Sequence, residues 1–261
     1  MSDALIGHSG FVGGNLLRQH AFADLYNSKN IGSIRGRSFD LLVSAGAPAE
    51  KWKANAEPEK DLAILQRLME DLREVRARKM VLISTVDVYP SPVDVDEDSP
   101  IDPSKGGAYG RNRHLLEQFI LERFDALVVR LPGLFGPGLK KNVIFDLIHG
   151  NRLEAINTAG VFQFYDLNNI WRDIERALSH GLKVLNLATE PTGVEELARE
   201  AFGREFVQRM PGAAPRYDMR SKHAALFGGH HGYLYDRGQV LGAMKDFVAS
   251  AQRARAQEAR G

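Results

Sequence analysis

The chain has 261 residues, 44% of them hydrophobic, with 34 lysines and arginines against 33 acids and a formal net charge of +1. That is enough apolar material for one large α/β domain or a domain with a smaller lobe, and the balanced charge excludes a global field recruiting nucleic acid or a membrane surface. The absence of cysteine excludes disulfides, thiolate metal sites and cysteine nucleophiles, and no apolar run is long enough to cross a bilayer; a cytoplasmic protein without a secretory leader is expected.

The first element is a short apolar strand that breaks at Gly7-His8-Ser9-Gly10-Phe11-Val12-Gly13 and continues as a helix over Phe11 to His20. Glycines three apart allow a tight turn and close backbone approach, and a helix starting there directs open N–H groups at phosphate oxygens. Replacing Gly10 or Gly13 with a bulky residue is expected to remove dinucleotide binding and spare the fold. Phe22 to Asn27 reads as a brief second strand. The chain then passes quickly through Gly32 and Gly36 to an apolar strand at Phe39 to Ser44, so the sheet is expected to be trimmed near its second strand. A small-residue loop, Ala45-Gly46-Ala47, follows. Leu62, Leu65, Leu68, Leu72 and Val75 recur at helical spacing, and Met80 to Ile83 is a buried strand ending in Ser84-Thr85.

Prolines at 90, 92, 100 and 103 make Tyr89 to Lys105 a loop. Tyr109 to Arg123 returns to helix, with Leu115, Leu116, Phe119 and Ile120 on its buried side. Ala126 to Leu131 is a strand closed by Pro132 and Gly133. This alternation predicts a Rossmann-like, doubly wound parallel sheet over 1–136. Residues 137–261 form a smaller substrate-binding lobe, with about 160–190 returning to the main sheet through a helix near Ile170 and a strand at Val184 to Leu187. Thr192-Gly193-Val194-Glu195 reads as a capping box, Val240 to Ala251 as the last helix, and Gln252 onward as a fraying polar tail.

Three places line up along the chain: the glycine turn, Ser84-Thr85 at a strand end, and Tyr109 with Arg113 one helical turn on. A phenol, with a pKa of about 10, needs a nearby cation before its anion is accessible, and Arg113 is expected to lower it. Thr85 supplies a hydroxyl to the same substrate oxygen. Together these describe a hydride-transfer site with Tyr109 as acid/base and a cofactor carrying the hydride.

These segments resemble the extended short-chain dehydrogenase/reductases, the NAD-dependent epimerase/dehydratase family acting largely on nucleotide-linked sugars. The resemblance rests on Gly7-x-x-Gly10-x-x-Gly13, Ser84-Thr85-Val86-Asp87-Val88-Tyr89, Tyr109-Gly110-Arg111-Asn112-Arg113 with Glu117, Arg130 to Gly138, and Phe164 to Ile170. It implies an NAD(P) site on Gly7, Ser9, Gly10, Phe11, Val12, Gly13, Ala45, Gly46, Ala47, Ser84, Leu131, Pro132 and Gly133, and catalysis by Thr85, Tyr109 and Arg113. Its helices near Tyr109 and Leu62 form a dimer interface in many members, so a homodimer is open to this chain.

Two departures stand out. Arg113 occupies the family's lysine position, where lysine lowers the tyrosine pKa and holds the nicotinamide ribose. The acid that usually closes strand two is absent; Asn27, Ser28 and Lys29 give a polar, cationic rim that leans towards NADP. In the second lobe, Lys140, Lys141, Asn142, Arg216, Arg220 and Lys222 are candidate contacts for a substrate diphosphate, with Asp87 and His230 also facing substrate. His223, His230, His231 and Asp218 are not expected to bind metal. The size and trimmed sheet lean towards keto-sugar reductases. The alternative is a dinucleotide-binding sensor or assembly protein impaired in catalysis, motivated by Arg113.

Overall fold

The computed structural model describes residues 2–258. Its main sheet has six parallel strands: β1 (Ser2–Ile6), β2 (Asp24–Tyr26), β3 (Ser38–Ser44), β4 (Arg76–Thr85), β5 (Ala126–Leu131) and β6 (Val184–Asn186). Their spatial order is β2-β1-β3-β4-β5-β6. β2 lies on one side of β1 and β3 on the other, so the winding reverses between β1 and β3, where open α/β sheets bind ligands at their carboxyl ends. All six residues of β5 are buried, as a strand covered on both faces requires.

Helix α1 (Phe11–Gln19) links β1 to β2, but only a short 3-10 turn at Ile31–Ile34 separates β2 from β3. The sheet ends at β2, which has three residues. Between β3 and β4 the sequence pattern shows one helix and the structure has two: α2 (Lys51–Ala56) and α3 (Pro58–Leu72). Pro58 at the first turn of α3 stops one helix and starts the next.

Helix α4 (Ala108–Arg123) departs most from its apolar pattern. Leu115, expected inside, is 45% exposed, whereas Tyr109, Asn112, Arg113, Leu116, Glu117 and Ile120 are buried. Residues 109, 113 and 117 share one face at i, i+4 and i+8. The helix therefore buries a polar and charged stripe, which an apolar count misreads.

Contacts divide the chain into two units. The first comprises the segments up to Pro92, Glu97–Leu131 and Asn168–Asn186; the second comprises Val93–Asp96, Pro132–Leu167 and the residues from Leu187. In the second unit, Phe135, Ile144, Leu147, Leu197, Met244 and Val248 share an apolar core. Val93–Val95, expected as loop, pairs with Asp218–Met219. The capping box does not form: Gly193 caps helix Val194–Phe202 without a side-chain bond, and Glu195 is held by Thr158 and Arg209 instead. The last helix runs Arg237–Glu258, so 252–258 continues it, while the end of the expected tail lies outside the described residues. Among the described residues no helix is long and apolar enough to cross a membrane.

Candidate active site

The glycine turn is made by close approach. Gly7 has φ +86°, and a Cβ there would lie 2.4 Å from the Ala45 carbonyl oxygen. A Cβ on Gly13 would lie 2.1 Å from the Gly7 carbonyl oxygen. Gly10 differs: it is exposed, and its Cβ would meet only that same oxygen, at 3.3 Å. Helix α1 starts at Phe11 with no acid in its first turn, so its positive end carries no local carboxylate. Ser9 beside it is exposed, and Phe11 and Val12 are half-buried.

The expectation that both Gly10 and Gly13 are clean probes is corrected to Gly10 alone. Gly10→Leu should melt within a few degrees of the parent and lose stabilisation by dinucleotide, whereas Gly13→Leu should lose the fold as well. A Gly10→Leu protein stabilised by NAD(P) as strongly as the parent overturns this reading of the turn.

Asn27 directly follows β2, beside the point where the Gly7 N–H donates to the Tyr26 carbonyl at 2.8 Å. Its Oδ1 accepts the Lys29 N–H at 2.9 Å, and its Nδ2 lies 3.2 Å from His8 Nε2. Lys29 is exposed. Ala45, Gly46 and Ala47, half-buried at the end of β3, complete this edge; a Cβ on Gly46 would press Ile6 at 2.8 Å.

Thr85 closes β4 level with Leu131 of β5, and its hydroxyl accepts the Asp87 N–H at 3.2 Å. Tyr109 reaches this edge from α4, with the Thr85 hydroxyl near enough to its own to favour the phenolate. It does so because α4 lies against the 86–88 turn: a Cβ on Gly110 would fall 1.8 Å from the Asp87 carbonyl oxygen. A glycine inside a helix costs about 1 kcal/mol relative to alanine, and that was the available sequence signal for close approach. Asn55 of α2, missed in the sequence, accepts the Tyr109 N–H at 2.9 Å through Oδ1.

Arg113 is 3% exposed, with its guanidinium carbon 4.1 Å from the Tyr109 ring centroid. One terminal nitrogen donates to Asp61, and the other donates to the Pro48 carbonyl. Asn112 Nδ2 donates to the same Asp61 carboxylate at 2.9 Å. Asp61 carried no signal of this role, since an acid in the first turn of α3 reads as a helix-dipole partner.

Burial pushes the Tyr109 phenol above its ordinary 10.0, and Asp87 adds to the rise; Arg113, the Thr85 hydrogen bond and Lys51 pull it down without reversing it. The expected lowering by Arg113 is therefore outweighed, because burial penalises the phenolate and Asp61 compensates the guanidinium.

Behind the edge, Ser84 Oγ donates to Glu117 at 2.5 Å, and Arg130 donates to both Glu117 oxygens at 3.1 and 2.7 Å. Arg130 also donates to the Tyr89 hydroxyl at 2.7 Å, which Asn186 Nδ2 meets at 3.0 Å. The Ser84 hydroxyl is thus engaged with Glu117, and Asp87 pairs with Lys51 Nζ at 2.7 Å.

In the second unit, Asn142 caps helix Val143–His149: its Oδ1 accepts from Ile144 and Phe145, and its Nδ2 donates to Leu134. Pro132 is buried and Gly133 exposed, a Cβ on Gly133 meeting the Gln163 carbonyl oxygen at 2.8 Å. Arg220 pairs with Asp94 at 3.2 Å and Asp218 at 3.5 Å, while Arg216 and His230 are exposed. Asp218 accepts from the Tyr233 hydroxyl at 2.6 Å. Among the described residues, no group of three potential metal ligands comes together.

A glycine-rich strand-to-helix turn at the reversal of a doubly wound parallel sheet defines a Rossmann-like dinucleotide-binding protein. The chain belongs to the NAD dependent epimerase/dehydratase family, whose sequence model matches residues 4–159. This is the enzyme type that the motifs resemble. Solved structures share the fold. MoeE5, in complex with UDP-glucuronic acid and NAD, is 17% identical, with 96% of this chain and 100% of that one covered at a TM-score of 0.73. RMD from Pseudomonas aeruginosa, complexed with NADPH, is 19% identical over 98% of each chain at 0.74. A UDP-glucose 4-epimerase from Thermotoga maritima, solved with UDP-glucose, is 16% identical over 96% and 99% at 0.71. No curated protein matches the chain in sequence.

Proposed function

We propose that the chain is an NAD(P)-dependent oxidoreductase or epimerase of a nucleotide-linked sugar, with Tyr109 as acid/base and Thr85 binding the same substrate oxygen. The observation that carries this is the Thr85–Tyr109 hydroxyl pair, placed at the carboxyl edge of the sheet that bears the glycine turn. A dinucleotide fits the residues present: Gly7 and Gly13 let β1, α1 and the Ala45 loop close together, and Gly10 leaves the outer face of the turn clear. Bound there, a nicotinamide would supply or accept the hydride.

The chain's own residues do the rest. Thr85 and Tyr109 orient a carbonyl or alcohol oxygen, and the neutral phenol donates its proton to the oxygen as a carbonyl is reduced. Arg113 holds the ring from its face, tied to Asp61 and Pro48. NADP is favoured over NAD because Asn27 replaces the usual acid and exposed Lys29 can meet a phosphate by a charge-assisted bond. The relatives solved with UDP-sugars support the substrate class. A sensor is the second reading, favoured by Arg113, whose guanidinium is committed to protein partners.

A thermal-shift and turnover screen of nucleotide-linked sugars with NAD(P) and NAD(P)H tests the proposal. A ligand at a hundred times its Kd should add about 2.7 kcal/mol of stability. Hydride exchange with a nucleotide sugar, and tighter binding of NADP than NAD, are expected. Dinucleotide binding without exchange to any such sugar would favour the sensor, and equal affinities would retire the NADP preference.

A further inference from the structure

We propose that Lys51 supplies a second active-site cation at the Tyr109 hydroxyl, beside Arg113, which is spread over the ring and paired with Asp61. The inference rests on the reading of Tyr109 as acid/base and adds a residue to that site.

Arg113 favours the phenolate, but its charge is shared. Its guanidinium lies over the ring, shares an ion pair with buried Asp61 and gives a further donor to the Pro48 carbonyl. Lys51 stands differently. It begins α2, and α2 is fastened to the start of α4 by Asn55, which accepts the Tyr109 N–H. The chain just before α2 is fastened again by Pro48, whose carbonyl binds Arg113. These two ties bring the first turn of α2 to the catalytic edge, where Lys51 Nζ meets Asp87 Oδ1 at 2.7 Å. Asp87 belongs to the turn that follows Thr85 and packs on Gly110, next to Tyr109. The charged groups facing the phenol are thus Arg113 on its own helix, Asp87 on the turn and Lys51 on α2, with Asp61 of α3 compensating Arg113.

Lys51 is half exposed at its side chain, so its ammonium can move between Asp87 and the phenol oxygen without unpacking a core. It remains protonated and transfers nothing itself. When Tyr109 gives its proton to the substrate oxygen, the phenolate left behind gains a nearby positive charge.

The test uses the full chain labelled with 3,5-difluorotyrosine, whose phenol titrates near neutrality, well below lysine. The fluorine resonance missing in Tyr109→Phe identifies Tyr109. Lys51→Met should move its titration upward by about one unit, the low end of what an adjacent opposite charge does. Asp87→Asn should move it downward. The Lys51→Met/Asp87→Asn pair separates a cation for Tyr109 from a mere counterion of Asp87, because its titration should stay above that of Asp87→Asn alone. Lys51→Met should also cut turnover at least tenfold, Lys51→Arg should restore part of it, and Lys53→Met on the same helix should change neither readout. A double variant that titrates like Asp87→Asn alone, or an unmoved titration in Lys51→Met, overturns the role of Lys51. Undiminished turnover in Tyr109→Phe would instead overturn the reading of Tyr109 on which it rests.

Discussion

Tyr109→Phe should lower hydride exchange by about two to four orders of magnitude, the usual contribution of a positioned acid or base, and should leave the fold intact. The ring remains under Arg113, so the variant loses only the hydroxyl and what it offers Thr85, at most one hydrogen bond. A single hydrogen bond is worth about 0.5–1.5 kcal/mol net, so the melting temperature should move by only a few degrees. The pH dependence follows from the direction of the phenol's shift. Because burial holds the pKa above 10.0, the phenol is protonated at neutral pH. Carbonyl reduction needs that proton and should therefore hold a plateau from neutral into alkaline pH. The reverse oxidation needs the phenolate and should accelerate with pH. Steady-state rates of the parent and Tyr109→Phe across pH check both statements. Undiminished exchange in the variant removes Tyr109 from the chemistry, and a reduction rate falling from neutrality upward contradicts the raised pKa.

Glu117→Ala should cost about 3–5 kcal/mol, because it leaves the Arg130 guanidinium buried without its carboxylate. Glu117 is 0% exposed and Arg130 4%, so water replaces little of what is lost. At this chain length that corresponds to a melting temperature lower by about 10 °C. Pairing Glu117→Leu with Arg130→Met should recover much of the loss, since no charge is then stranded. A single variant melting within a few degrees of the parent would show that the pair holds little. The sign with pH is set by the carboxyl's shift. Burial pushes Glu117 up, but the nearby His114 imidazole, hydrogen bonds from Arg130 and Ser84 and the Arg130 charge outweigh it and hold the carboxyl below its ordinary 4.5. The stabilisation is therefore complete above that value and is lost as pH falls through the lower, folded value. Acid unfolding of the parent should steepen in that window, and the Glu117→Ala variant should lack that component.

The fold was legible where one physical signal dominated. Ala126 to Leu131, apolar throughout and closed by proline, reads as a buried strand and is one, and the scarcity of residues between β2 and β3 announced the shortened sheet. Glycine spacing gave the turn, but not the different duties within it: only the approach of Gly7 and His8 shows that Gly13 is closed in and Gly10 open. On helix α4, Tyr109 and Arg113 were visible from their spacing. Their surroundings were not, because Pro48, Asn55 and Asp61 approach from more than 45 residues away in sequence. Leu115 was misjudged, since a charge buried against another charge, as Glu117 is against Arg130, leaves no trace in a hydrophobic pattern.

The Arg113 clamp also constrains how this site can change over generations. Exchange of Arg113 for lysine retains the charge, yet one ammonium cannot reproduce a planar fork that reaches Asp61 and the Pro48 carbonyl while lying flat on the ring. The step would leave a buried carboxylate with a weaker partner and would loosen the segment leading into α2. An ancestor carrying lysine, or a descendant regaining it, must alter positions 61 and 48–51 in concert. The arginine is thereby entrenched: the packing of its neighbours requires it.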